Sequence, residues 1–336
     1  MKRLLFILGG AGIAAWTVSR LRRSEYSFTG KSIVITGGSR GLGLTIARRL
    51  AMEGARIALL ARDEEELAEA CRELQAIGGE ALAVPCDLLD RARSLGAIET
   101  VMDRFGAIDV LINNAGMIEV GPLDHMRRQD FEQTMDLHFW APFHLMQQTI
   151  PHMRRAGGGR IVNVASVGGK IAVPHMAPYN ASKFALVGLS DSFRAELARE
   201  GIKVTTVTPG VMRTGSHVHA KFKGNHGAEY TWFALSASLP VAATAPERAA
   251  EMIVEACRLG QSSLIIGLSA RMLIAGNALF PSLTGEMMKL VNRILPGSTG
   301  AKGDELKSGF EAREEQRLPG FIVPLDESAV AKHNEA

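Results

Sequence analysis

Cysteine is scarce in this chain, and so are tryptophan and tyrosine. Three of each are spread over 336 residues. Cys71, Cys86 and Cys257 are odd in number, far apart and without a CxxC pair. A disulfide framework and a cysteine zinc site are both disfavoured, and a reducing compartment is the easier home. The three read as small buried hydrophobes. An excess of one charge sign is missing too. The formal net charge is +3, and Lys2, Arg3, Arg20, Arg22 and Arg23 against Glu25 give residues 1–29 alone +4. The remaining body is therefore near −1. No broad basic face is implied, which makes nucleic acid a poor candidate for a partner. His217 and His219 have HxH spacing with His226 nearby, but nothing at ligand spacing completes a set, so no metal is expected.

Unbroken apolar runs are few. The clearest is Leu4–Ser19 (LLFILGGAGIAAWTVS), with basic residues on both sides. As a helix it would be roughly 24 Å long, slightly short of a bilayer core. Lys2 and Arg20 could snorkel to close the gap. Three readings compete: a single-pass anchor, a signal peptide cleaved near Ala14-Ala15, and a buried or peripheral helix. The Arg20–Arg23 cluster after the run favours the anchor with the body in the cytoplasm. A second apolar stretch, 268–295, is split by Pro281 into two short helices at most. It could cap a pocket, pair subunits or lie on a bilayer. From Pro296 onward the chain is polar and reads as a flexible tail.

Between these segments short apolar runs alternate with helical ones. Candidate strands are 31–36, 56–61, 80–85, 108–113, 160–165, 203–208 and 263–267. Candidate helices are 42–53, 63–77, 90–105, 129–155, 179–199 and 246–259. Strands separated by amphipathic helices imply βαβ units. Strands apolar on both faces imply a parallel sheet covered on both sides. The fold class is therefore α/β, a doubly wound seven-stranded Rossmann-type sheet. Four regions follow: 1–29 as hydrophobic segment and basic linker, 30–267 as the nucleotide-type domain, 268–295 as apolar extension, and 296–336 as tail.

Thr36-Gly37-Gly38-Ser39-Arg40-Gly41-Leu42-Gly43 follows the first strand and opens the first helix. Glycines there allow a tight turn and let backbone approach a pyrophosphate at the helix N-terminus. The second strand ends in Leu60-Ala61-Arg62, without the carboxylate that bonds an NAD ribose. Arg62, and Arg40 in the turn, could flank a 2′-phosphate instead. The alternative is that both are solvated surface groups. Tyr179 and Lys183 stand at i and i+4, on one face of a helix. An ammonium beside a phenol favours the phenolate and brings a proton-exchanging tyrosine nearer working pH.

TGGSRGLG, Asn113-Asn114-Ala115-Gly116, Ser166 thirteen residues before Tyr179, the YxxxK pair and Pro209-Gly210 with Thr214 come in one order. By these motifs the chain resembles the classical short-chain dehydrogenase/reductase family over roughly residues 30–267. The resemblance implies hydride transfer between NADP(H) and a carbonyl or alcohol carbon. It implies a pyrophosphate turn of Gly37, Gly41, Leu42 and Gly43 with Ser39 and Arg40 beside it, and Asp87 facing the adenine. Asn114, Ala115 and Gly116 would lie beside the cofactor, and Pro209, Gly210 and Thr214 along the nicotinamide. Ser166 would hold the substrate oxygen. Tyr179 would donate its proton, and Lys183 would hold the ribose and lower the tyrosine pKa. His138 stands where the family often carries an asparagine of a proton relay. It is read either as a relay imidazole or as a structural histidine.

The expected function is NADPH-dependent reduction of a carbonyl on a hydrophobic small molecule, in a membrane-tethered body facing the cytoplasmic reductant pool. Phe222, Tyr230, Trp232 and Phe233 in 211–245 either suit an apolar substrate or pack into the fold. Alternatives are an alcohol or hydroxysteroid dehydrogenase running oxidatively, and a non-catalytic NADP-binding sensor. Family members commonly form dimers and tetramers, so a homo-oligomer is an open expectation.

Overall fold

The computed structural model describes residues 26–213, 216–238 and 243–315. Leu4–Ser19, Thr214 and the end of the tail lie outside the described residues. β1 (Ser32–Thr36) leads through α1 (Gly41–Met52) to β2 (Arg56–Ala61), and α2 (Glu64–Ala76) leads on to β3 (Glu80–Pro85). α3 (Arg91–Phe105) crosses to β4 (Val110–Asn113). A short β5 (Glu119–Val120), α4 (Arg128–Met135), a π-turn (Asp136–Trp140) and α5 (Ala141–Arg155) lead to β6 (Gly159–Val164). Beyond α6 (Ala177–Leu197) and β7 (Ile202–Pro209) come β8 (Lys221–Phe222), α7 (His226–Ser238), α8 (Pro246–Leu259) and β9 (Ser263–Ile266).

Seven strands form one sheet in the order β3-β2-β1-β4-β6-β7-β9, and every neighbouring pair is parallel. The chain winds outward from β1 to β3, then back from β4 to β9. The switch lies between β1 and β4, where ligands bind at the carboxyl edge of such sheets. β1 is buried along its whole length, because helices cover both faces. α1, α2 and α8 close one face over Ile33, Ile35 and Leu59. α3, α5 and the end of α6 close the other over Val34, Leu60 and Leu111. Each such fully buried Val, Leu or Ile contributes about 1.5–3 kcal/mol. All three cysteines are buried thiols.

Three boundaries differ from the sequence reading. The helix read as 129–155 is interrupted by the π-turn, an inserted residue that leaves no mark in apolar periodicity. Residues 26–29, read as linker, begin the core: Phe28 is buried under Arg258, whose guanidinium also donates to the Tyr26 carbonyl at 3.0 Å. The third concerns the chain after residue 295. α9 (Leu268–Leu279) and α10 (Pro281–Ile294) divide at Pro281 as expected. The polar tail is then corrected over 296–315. β10 (Lys307–Ser308) pairs antiparallel with β8, and α11 (Gly309–Glu315) buries Gly309 and Ala312. They cover a small second core of Val120, Phe222, Tyr230 and Ala234. Charges that read as solvent-seeking are partnered: Asp304 meets His125 at 2.8 Å and Arg127 at 2.6 Å.

Candidate active site

The Gly turn sits at the carboxyl end of β1. Gly37 turns with φ of +62°, a left-handed conformation that a side chain resists. A Cβ on Gly43 would stand 2.0 Å from the Gly37 carbonyl oxygen and 2.7 Å from Asn114 Nδ2, so only glycine lets α1 start this close. α1 carries no side-chain cap at Arg40. A helix N-terminus without a side-chain cap is suited to receive an anion. α2 contrasts with it: Asp63 accepts from the Glu65 and Glu66 backbone, which makes Asp63 a helix cap rather than a ribose ligand. Gly41 and Leu42 lie buried in the first turn of α1.

Asn114 ties the next loop to this turn. Its Nδ2 donates to the Thr36 and Gly37 carbonyls, both at 3.1 Å. Thr36 Oγ1 accepts from the Asn114 and Ala115 backbone at 3.0 Å. Thr36 was missed as a site residue, because a threonine that ends a strand has no distinguishing pattern. The neighbouring Asn113 donates to Asn163 across β4 and β6 at 2.8 Å.

Beyond β2, an open cleft of about 550 Å³ is lined by Arg62, Glu64, Val84, Cys86, Asp87 and Arg93, among others. Asp87 and Arg62 are thus brought together. Asp87 also accepts from the Leu89 backbone at 3.0 Å. Arg40 and Ser39 converge on a residue not singled out from the sequence. Glu66 receives Arg40 Nη1 at 2.6 Å and Ser39 Oγ at 2.8 Å. The arginine proposed for a phosphate is thus held by a carboxylate from α2.

The catalytic candidates meet across β6 and α6. Ser166 caps the short turn Val167–Gly169 and accepts from Gly168 N at 3.1 Å. Its side chain shares a hydrogen bond with Tyr179. Lys183 is buried, with Nζ donating to the Val164 carbonyl at 3.0 Å and lying 5.8 Å from the centre of the Tyr179 ring. Burial brings its pKa down to about 7. Burial also raises the Tyr179 pKa, and the Ser166 hydrogen bond opposes this only in part. The expected lowering by the lysine is therefore not what the protein alone shows. Both groups are desolvated, and an ammonium that is itself costly to charge gives the phenolate little help.

His138 projects from the π-turn into this cluster, edge-on to Tyr179 with ring centres 5.6 Å apart. Its Nε2 accepts from Met117 N at 3.1 Å, and its Nδ1 lies 2.7 Å from Ser182 Oγ. Gly116 passes so near that an added Cβ would reach 3.2 Å from Nε2. Pro209 ends β7, and Gly210 N donates to the Ile266 carbonyl at 2.9 Å, beside Ala270.

This arrangement of glycine turn, serine, tyrosine and lysine on a switch-point sheet agrees with a sequence-family match. The profile described as short chain dehydrogenase covers residues 31–223. The chain is a short-chain dehydrogenase/reductase. It is similar to the ketoacyl reductase HetN of Nostoc sp., at 32% identity over 273 residues, covering 81% of this chain and 88% of that protein. It is also similar to the fatty acyl-CoA reductase of Acinetobacter baylyi, at 32% over 294 residues, covering 87% and 94%. Among solved structures, the L-sorbose reductase of Gluconobacter frateurii in complex with NADPH and L-sorbose superposes with a TM-score of 0.66. Its identity is 28%, covering 73% of this chain and 97% of that one. As a member of the family the chain is an NAD(P)H-dependent oxidoreductase acting on CH–OH and C=O groups.

The residues around the histidine-rich segment do other work. His217 stacks at a tilt on Tyr230, His219 meets Phe310 edge-on, and His226 Nε2 bonds the Glu305 carbonyl. Phe222 and Tyr230 are fully buried in the second core, so they pack rather than face substrate. Among the described residues no cluster of three His, Cys, Asp or Glu could hold a metal.

Proposed function

We propose that this chain is an NADPH-dependent reductase of a carbonyl on a hydrophobic, acyl-type small molecule. We further propose that Leu4–Ser19 tethers it to a membrane, with the catalytic domain on the cytoplasmic side. The observation that carries the reductive reading is the Ser166–Tyr179–Lys183 cluster in its buried state. Tyr179, a phenol that keeps its proton at neutral pH, shares a hydrogen bond with Ser166 and stands beside Lys183, placed to donate to a developing alkoxide.

The uncapped N-terminus of α1 and the glycine cradle fit a dinucleotide pyrophosphate. Asp87 would face the adenine, and Lys183 would hold the nicotinamide ribose. Bound NADPH supplies the hydride. Ser166 fixes the carbonyl oxygen, and Tyr179 delivers the proton to it. Arg40 and Arg62 at the ribose end, with no carboxylate at the end of β2, support the phosphorylated cofactor. So does NADPH in the sorbose reductase. The acyl class is supported by the names of the ketoacyl and fatty acyl-CoA reductases above.

The test is NADPH oxidation against a panel of 3-oxoacyl thioesters, acyl-CoA thioesters, long-chain ketones and aldehydes, with NADH in parallel and Tyr179→Phe as control. Turnover of at least one apolar carbonyl, faster with NADPH and lost in the control, is expected. Cofactor binding without turnover across the panel would overturn the reading.

A further inference from the structure

Exposed large apolar side chains are not scattered evenly over this molecule. Nine of those among the described residues crowd into the α9–α10 hairpin, between Leu268 and Ile294. Their spacing is regular. Leu283, Met287, Leu290 and Ile294 stand at i, i+4, i+7 and i+11 on α10. Leu268, Met272, Ala275 and Leu279 repeat that spacing on α9. This is the stripe by which a helix normally faces a core, yet here it is turned outward. Leu283 is 68% exposed and Ile294 79%. Phe280, 60% exposed, joins the stripes at the tip. α10 packs chiefly against α9, with Thr284 as its buried residue. A patch of this extent marks a surface that is covered in use.

Two observations favour lipid as the cover. First, the polar residues beside the stripes are basic. Arg271, Lys289 and Arg293 are exposed, and the single acid, Glu286, pairs with Lys289 at 2.7 Å. Basic groups bordering an apolar helical stripe suit an anionic headgroup layer. Second, the hairpin stands at the mouth of the site. α9 follows the carboxyl end of β9, Ala270 lies against Gly210, and Asn277 reaches the Lys170 carbonyl beside the Ser166 turn. No helix of the described residues is long and apolar enough to cross a membrane, so the hairpin would lie on a bilayer rather than through it.

We propose that the α9–α10 hairpin docks on an anionic bilayer, its stripes set into the headgroup–acyl boundary, so that the substrate site opens toward lipid. The proposal requires neither the N-terminal tether nor the carbonyl-reductase reading, and its test reads no turnover. Full-length chain carrying Leu290→Cys is labelled with a polarity-sensitive fluorophore. The three native thiols are buried, so the label goes to the introduced one. Met52→Cys, at an exposed position on α1, is the control. With vesicles of phosphatidylcholine and phosphatidylglycerol, the label at 290 should shift to the blue and be quenched by spin-labelled lipid. The label at 52 should do neither. Adding Leu283→Glu and Met287→Glu should remove most of the response at 290. If the chain floats with vesicles while residue 290 stays in water, the proposal is wrong and attachment belongs to the N-terminal segment alone. A blue shift without vesicles that grows with protein concentration would assign the face to a second copy and overturn it equally.

Discussion

His138 Nδ1 stands 2.7 Å from Ser182 Oγ, and that hydroxyl already donates to the Tyr179 carbonyl at 2.8 Å. Ser182 therefore accepts from the ring, so Nδ1 carries the proton. Nε2 is taken by the Met117 N–H. Burial, aided by the Lys183 charge, pushes the imidazole pKa well below its usual value. A neutral ring with both nitrogens engaged has no site left to pass a proton. In this arrangement His138 braces the Met117 loop against α6, and we propose it as a positioning residue.

The consequence separates two variants. Tyr179→Phe removes the proton donor and should lower kcat by about 10²–10⁴. His138→Ala should lower kcat by roughly tenfold, through lost packing and a Met117 N–H left without its acceptor, and destabilise the fold by about 1–3 kcal/mol. The pH profile of kcat/KM should keep its shape. A profile whose limbs move in His138→Ala would restore the relay reading.

Glu66 sets the terms on which a 2′-phosphate can enter. Arg40 and Ser39 are both bonded to its carboxylate, so a phosphate must displace a like charge to reach them. Glu66→Gln weakens that competition without emptying the space. The expected result is a KM for NADPH several-fold lower, up to about tenfold on a charge-assisted bond, with KM for NADH little changed. Arg40→Ala should act in the opposite direction. An unchanged NADPH-to-NADH ratio in both variants would remove the Arg40 argument for cofactor choice.

The sheet was legible because burial on both faces writes itself as continuous apolar runs. The runs at 56–61 and 80–85 became β2 and β3 without a shift. The glycines and the Tyr179–Lys183 pair were legible because their chemistry is local. What sequence could not show depends on distant partners. Glu66 reads as one of four acidic residues at a helix start, and only folding brings it to Arg40. The π-turn that aims His138 has no compositional mark. Asp304 and Ala312 look like tail residues until β10 pairs with β8.

Lys223 holds a buried charge cluster beneath that C-terminal cover. Its Nζ lies 2.6 Å from Asp130 and 3.7 Å from Glu119. Burial, reinforced by the Asp130 charge, raises the Glu119 pKa to about 7, so the lysine is the countercharge that makes two buried carboxylates tolerable. Lys223→Met should cost about 3–5 kcal/mol in urea unfolding, the range for stranding a buried partner. Lys223→Arg should lose less. A loss below about 1 kcal/mol for the methionine variant would mean that the cluster contributes little.

Lys183 makes stability depend on alkaline pH in the cofactor-free protein. Burial holds its folded pKa at about 7, against 10.5 for an ordinary lysine. Between these values the unfolded chain binds a proton that the folded chain does not, so stability rises with pH across the window. It is lost again as pH falls toward 7, where the buried amine must be charged. Lys183→Met has no such group. The difference in Tm, wild type minus variant, should therefore increase steadily from pH 7 to about 9.5, below the range where tyrosines begin to titrate. NADP(H) is left out, so that ligand binding does not mask the effect. A difference that stays flat or falls over this range would show that Lys183 is charged in the folded protein. It would then be placed to lower the Tyr179 pKa from the outset.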